Sequence, residues 1–249
     1  MKPPLAAGIV LAAAFVMASV ANAGGVNLSW DACSPEGGVQ NKNFACTSNA
    51  GSRTMYGSFV LAADQNNFVG TEITLDISAQ SDSLPAWWRF FNAGACRQTS
   101  LSVNFLFASD PNTDCTDPWS GQGVGGIGAV HTYWTTPQVA AGNRKEEQMV
   151  IAAAVPRTSS LQLTADTEYY CFKLVISSTK TVGSEACDGC TTPVCITLSK
   201  INAVQNDGTN EELTEPVTAN LVTWQGAESC PGAFAGRAIT WGQIRSVLR

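Results

Sequence analysis

Histidine is almost missing from this chain: His131 is the one copy in 249 residues. That count excludes a histidine-rich metal site, and a Ser-His-Asp or Cys-His site would have to use His131 itself. It stands in Gly128-Ala129-Val130-His131-Thr132-Tyr133-Trp134, and no G-x-S-x-G occurs anywhere. A lone histidine in such a run reads as a hydrogen-bonded or surface residue. Charge is scarce too, with Asp, Glu, Lys and Arg at 14% of residues. The balance is acidic, at 20 acids against 14 bases and a net −6. Such a surface repels phosphate backbones and anionic membranes, which argues against nucleic acid as a partner.

What is present begins with an export signal. Lys2 is the only charge before residue 31, an apolar run extends from Leu5 to Val20, and Ala21-Asn22-Ala23 follows. This is the order of a cleavable secretory signal peptide, residues 1–23, with cleavage after Ala23. The run is shorter than the roughly 20 apolar residues a membrane span needs. Position 24 is not cysteine, so a lipid-anchored product is not expected. No later segment is long and apolar enough to span a bilayer, so the mature chain is expected to carry no membrane span. The expected location is periplasmic, cell-surface or extracellular.

Nine cysteines follow the signal: Cys33, Cys46, Cys96, Cys115, Cys171, Cys187, Cys190, Cys195 and Cys230. In an exported chain they read as disulfides. Spacing suggests Cys33 with Cys46 across Gly37-Gly38, and Cys96 with Cys115 closing a strand pair. Pairing among Cys187, Cys190, Cys195 and Cys230 stays open. The odd count leaves one thiol over, and Cys171, inside the apolar run Tyr169 to Ile176, is expected to be that buried residue. A redox reading of Cys187-x-x-Cys190 lacks the helix start such motifs use. A zinc reading lacks a nearby histidine, so its fourth ligand would have to be another cysteine. Structural disulfides are the expectation, and no metal or cofactor is implied.

Period-two alternation recurs along the chain. Ile73, Leu75 and Ile77 share one face of Val69–Ala79; Leu101, Val103, Phe105 and Phe107 share another; Tyr170, Phe172, Leu174 and Ile176 repeat the pattern. Shorter strands are predicted at Val26–Trp30, Thr54–Leu61, Cys195–Gln205 and Leu221–Gln225, and a buried strand at Met149–Val155. Turn signals fall at Gly37-Gly38, Asn66-Asn67, Asp110-Pro111-Asn112, Asp117-Pro118, Gly125-Gly126 and Asn206-Asp207-Gly208. The pattern predicts an all-β fold: an antiparallel β-sandwich of immunoglobulin-like or jelly-roll type, tied by disulfides. It would occupy residues 24–225, a split near 135–145 being the alternative. Residues 226–249 read as a connector and a short basic amphipathic C-terminal helix, with Trp241, Ile244 and Leu248 opposite Arg245 and Arg249.

Candidate chemistry is thin, and no catalytic residue is predicted. Glu72, Asp76, Glu146, Glu147 and Glu168 could supply a glycosidase carboxylate pair but carry no supporting motif. Asp110-x-Asn112-x-Asp114 opens like a calcium loop, then has Cys115 in place of the glycine and Gly121 in place of the bidentate glutamate. The aromatics offer a binding hint. Trp87, Trp88, Trp119 and Trp134 are candidates to stack on sugar rings if exposed, although tryptophan also fills sandwich cores.

Four segments carry a resemblance. Asn27-Leu28-Ser29-Trp30-x-x-Cys33, Leu84-Pro85-x-Trp87-Trp88, Cys187-x-Gly189-Cys190-x-x-Pro193-x-Cys195-Ile196-x-Leu198 and Thr240-Trp241-Gly242-x-Ile244-Arg245 resemble a group of uncharacterised exported bacterial proteins. Their layout is similar to immunoglobulin-like and cohesin-like β-sandwiches. The resemblance implies compartment and fold, and carries no catalytic residue across. The expected function is a non-catalytic extracellular or cell-surface module acting by protein contact or surface assembly. The alternatives are a carbohydrate-binding module using the tryptophans, or a glycoside hydrolase. The partner would be an extracellular protein or a glycan.

Overall fold

Side chains alternate between the two faces of a strand, so each period-two segment should bury one face. The computed structural model describes residues 24–79, 84–90, 94–107, 114–130 and 146–226. The expected signal peptide, the 135–145 segment, His131, Trp134, Cys230 and the expected C-terminal helix lie outside these residues. Among the described residues the strands are β1 (Gly25–Trp30), β2 (Asn41–Lys42), β3 (Ser52–Val60), β4 (Gln65–Ala79), β5 (Leu101–Asn104) and β6 (Val124–Val130). They continue as β7 (Glu146–Ala154), β8 (Leu161–Leu163), β9 (Glu168–Ser177), β10 (Val194–Gln205), β11 (Asn210–Leu213) and β12 (Leu221–Trp224). One sheet has the order β1-β3-β9-β5 and the other β2-β12-β10-β4-β7-β6, with β8 on β4 and β11 on β10. Neighbours are antiparallel except the short β2, which lies parallel to β12. The two sheets pack as the predicted β-sandwich.

The core follows from the alternation. Ile73, Leu75 and Ile77 turn inward from β4, level with Ile151 and Met149 on β7 and with Ile201, Leu198 and Ile196 on β10. Phe172, Leu174 and Ile176 face them from β9. Each fully buried aliphatic side chain contributes roughly 1.5–3 kcal/mol. A Cβ on Gly57 would lie 2.0 Å from the Phe172 ring, so only glycine lets that ring cross β3. The register shifts beside Gly57, where Cys171 is the extra residue. Cys171 is the buried free thiol expected from the sequence.

The disulfides depart from the spacing argument. Cys33 bonds Cys115, Cys46 bonds Cys190, and Cys96 bonds Cys187. The expected Cys33–Cys46 and Cys96–Cys115 pairs are therefore corrected. Each bond joins segments far apart in sequence. Cys33 leaves β1 over the outside of the four-stranded sheet, where the Cys115 loop crosses and the Tyr170 N–H donates to the Thr116 carbonyl. Cys187 and Cys190 reach two different partners, which removes both the redox-pair and the zinc-knuckle readings of that motif. Cys195 is disulfide-bonded as well. Three described disulfides fit a protein that matures outside the cytoplasm, and no described helix is long and apolar enough to cross a membrane.

Two turn readings and two strand readings also change. Asn66-Asn67 and Gly125-Gly126 lie inside β4 and β6 and are not turns. β6 approaches β7 so closely that a Cβ on Gly125 would stand 2.0 Å from the Ala152 carbonyl oxygen. The predicted Leu101–Phe107 strand ends at Asn104, whose side-chain oxygen accepts from the Leu106 N–H at 2.7 Å, although Phe105 and Phe107 still reach the core. Finally, Met149–Val155 is strand but is not buried on both faces. Met149, Ile151 and Ala153 point inward, while Ala152 and Ala154 face solvent and Val150 is 38% exposed.

Candidate functional site

Three of the tryptophans proposed for sugar stacking, Trp87, Trp88 and Trp119, are structural. Ala86–Trp88 forms a 3-10 turn that inserts both Trp87 and Trp88 into one end of the sandwich. There they meet Trp224, at ring centroid distances of 5.0 and 5.1 Å. Their indole N–H groups donate to Thr181 Oγ1 at 3.1 Å and to the Gly189 carbonyl at 3.2 Å. Trp119 is buried elsewhere, against Phe68 and Phe105, and donates to the Cys171 carbonyl at 2.9 Å. Buried indoles with satisfied N–H groups are core residues. The reading of Trp87, Trp88 and Trp119 as exposed platforms is therefore corrected, because the 3-10 turn breaks the alternation that would have pointed adjacent tryptophans to opposite faces.

Two buried ionisable side chains accompany the tryptophan turn; Glu147 was a candidate carboxylate from the sequence, whereas Arg97 was not singled out. Arg97 is 1% exposed. Its guanidinium carbon lies 3.5 Å from the Trp87 ring centroid. Nη1 donates to the Trp87 carbonyl at 3.0 Å and Nη2 to the Ser177 carbonyl, while Nε has no hydrogen-bond partner among the described residues. Burial pulls its pKa down to about 9, which leaves it charged at neutral pH. Glu147 points inward from β7, and its Oε1 accepts from the Phe90 N–H at 2.8 Å. Burial pushes this carboxyl up to about 8, opposed by that hydrogen bond and by Arg89. Arg97 directly follows a cysteine; no other sequence signal marks it.

The candidate carboxylates do not converge. Asp76 stands opposite Gln148 and Ile77 opposite Glu147, so the two acids face opposite sides of one sheet. Burial raises the Asp76 pKa, against hydrogen bonds from Ser199 and Gln148. Glu72 shares the Asp76 face but lies four residues away along the strand, about 13 Å. Glu168 belongs to the other sheet, where its Oε1 accepts from Asn27 Nδ2 at 2.7 Å and Ser58 Oγ at 2.6 Å. Of the calcium-loop acids, Asp114 sits in a turn, and Asp117 caps a local turn by accepting from the Trp119 and Gly121 N–H groups. Cys33, Cys115 and Glu36 lie close enough to hold a metal, but both sulfurs are consumed in a disulfide.

Two surface features remain. A cavity of about 290 Å³ is lined by Asp31, Lys42, Asn43, Phe44, Ser52 and Arg53, among others. Lys42 pairs with Asp31, and Lys42 and Arg53 stand 5.3 and 5.2 Å from the Phe44 ring centroid. The second feature is the open side of the larger sheet. Val124 is 68% exposed on β6 opposite Ala154 of β7, and Val150 of β7, opposite Gly128, is 38% exposed. Ala152 and Ala154 are exposed there too, and a Cβ built on Gly126 or Gly128 would meet nothing within 4 Å.

No protein family, curated protein or solved structure matches the chain. Fold and surface together define a class, a disulfide-tied β-sandwich whose described tryptophans are spent on its core.

Proposed function

We propose that this chain is an exported, non-catalytic module that acts by protein contact at the cell surface or outside the cell. One observation carries the reading. Among the described residues the tryptophans are buried and the candidate carboxylates do not converge, whereas the outer side of β6 and β7 presents uncharged aliphatic surface to solvent. Exposed apolar surface of this kind marks interaction sites. The disulfides and the N-terminal sequence support export. The test is crosslinking on intact cells that express a tagged chain. The reading predicts an oxidised chain outside the cytoplasm, with crosslinks that Val150→Glu abolishes. A reduced cytoplasmic chain, or crosslinks indifferent to that change, would overturn it.

A second reading, glycan binding, has the Lys42–Phe44–Arg53 cavity behind it. Its mixed donors and acceptors suit sugar hydroxyls, and its volume lies near the lower end of ligand sites, roughly 300 Å³. A glycan array that lights up for the wild type and goes dark for Arg53→Ala would favour it.

A further inference from the structure

Sheet edges offer unpaired N–H and C=O groups to any strand that can reach them, and folds usually blunt them. Three of the four edges here are blunted. β1 is covered by the segment between β11 and β12, with Val26 and Leu28 donating to the Glu215 and Ala219 carbonyls and Val217 donating back to Val26. β2 is two residues long and β5 four. The fourth edge, β6, is seven residues long, pairs with β7 without a register shift, and contains no charge, proline or bulge. Its residues make no backbone hydrogen bond to any described residue outside that pairing.

Its sequence also says what would pair with it. Val124-Gly125-Gly126-Ile127-Gly128-Ala129-Val130 reads almost the same in both directions about Ile127. We propose that β6 is a self-association edge, pairing antiparallel with β6 of a second copy about a two-fold axis through Ile127. In that register Val124 lies opposite Val130, Gly125 opposite Ala129, and Gly126 opposite Gly128, so like meets like across an isologous contact. Electrostatics favours the same side. Two chains of net −6 repel, but β6 and the adjoining Val150, Ala152 and Ala154 bring no charge into the contact. Edge pairing buries little surface, so the dimer is weak and dependent on concentration.

This inference rests on the contact reading above, yet it is tested on the purified chain alone. Its failure would leave a different partner for the same face, whereas failure of the cell experiment would remove contact itself. The test is sedimentation velocity over a wide concentration series, with circular dichroism to verify folding. Both Gly126 and Gly128 have open space where a side chain would go. Gly126→Glu/Gly128→Glu puts like charges opposite each other. Gly126→Lys/Gly128→Glu puts the introduced lysine opposite the introduced glutamate of the second copy, and its folding serves as control for the first variant. The expected result is a wild-type mass that doubles with concentration, a folded glutamate pair that stays monomeric, and a lysine–glutamate variant that dimerises again. A wild type that stays monomeric throughout, a glutamate pair that dimerises like the wild type, or a folded lysine–glutamate variant that stays monomeric would overturn the proposal.

Discussion

Arg97 and Trp87 form one unit: the guanidinium stacks on the indole, its centre 3.5 Å from the ring centroid, and donates to the carbonyl of the same residue. A second donation reaches Ser177 at the end of β9, so one side chain ties the tryptophan turn to the four-stranded sheet. Arg97→Ala should destabilise the fold by about 2–4 kcal/mol, since a buried cation–π contact is lost and two carbonyls are orphaned. Arg97→Lys should recover little, because an ammonium cannot stack and span both carbonyls. Urea midpoints of the three proteins check this.

Trp88 closes the same end of the sandwich. Trp88→Ala should cost about 3–5 kcal/mol as a core truncation. Any loss of ligand binding in that variant should track its loss of folding, which thermal melts alongside binding assays would separate.

Much of this was legible in the sequence, and the failures have physical causes. The alternation along β4, and along β9 from Phe172 to Ile176, predicted their inward faces correctly, because a strand half-buried in a sandwich must alternate. The extra residue Cys171 puts Tyr170 on the other face from Phe172. Gly125-Gly126 misled as a turn signal, because a glycine that permits close strand approach looks the same in sequence as one that permits a turn. Trp87 and Trp88 were unreadable by parity once a 3-10 turn replaced the strand. Disulfide partners were unreadable by spacing, since loops over a sandwich bring together cysteines such as Cys46 and Cys190, 144 residues apart.

The pairing itself is a prediction for the purified protein. Peptide mapping without reduction should recover Cys33–Cys115, Cys46–Cys190 and Cys96–Cys187, and should find Cys195 in a disulfide as well. Cys171 should resist alkylation in the native state, where burial drives its thiol pKa upward, and react as a single thiol after denaturation.

Glu147 gives the stability a pH dependence. Its pKa is raised from 4.5 to about 8 by burial, so between those values the folded chain holds a proton that the unfolded chain has released. Stability therefore falls as pH rises through this window, by at most about 1.4 kcal/mol per unit from this group. Glu147→Gln should flatten the slope and be the more stable protein at pH above 8. Denaturant midpoints for both proteins across the window measure the difference, and equal slopes would contradict the assignment.

The edge of β6, which pairs with no described strand but β7, is tested most directly by hydrogen–deuterium exchange of Val124–Val130. Amides of β6 that point away from β7 should exchange fast at high dilution and become protected as protein concentration rises, while amides of β4 and β9 stay unchanged. Protection of the outward β6 amides that is already complete at high dilution, or that never changes with concentration, would contradict it.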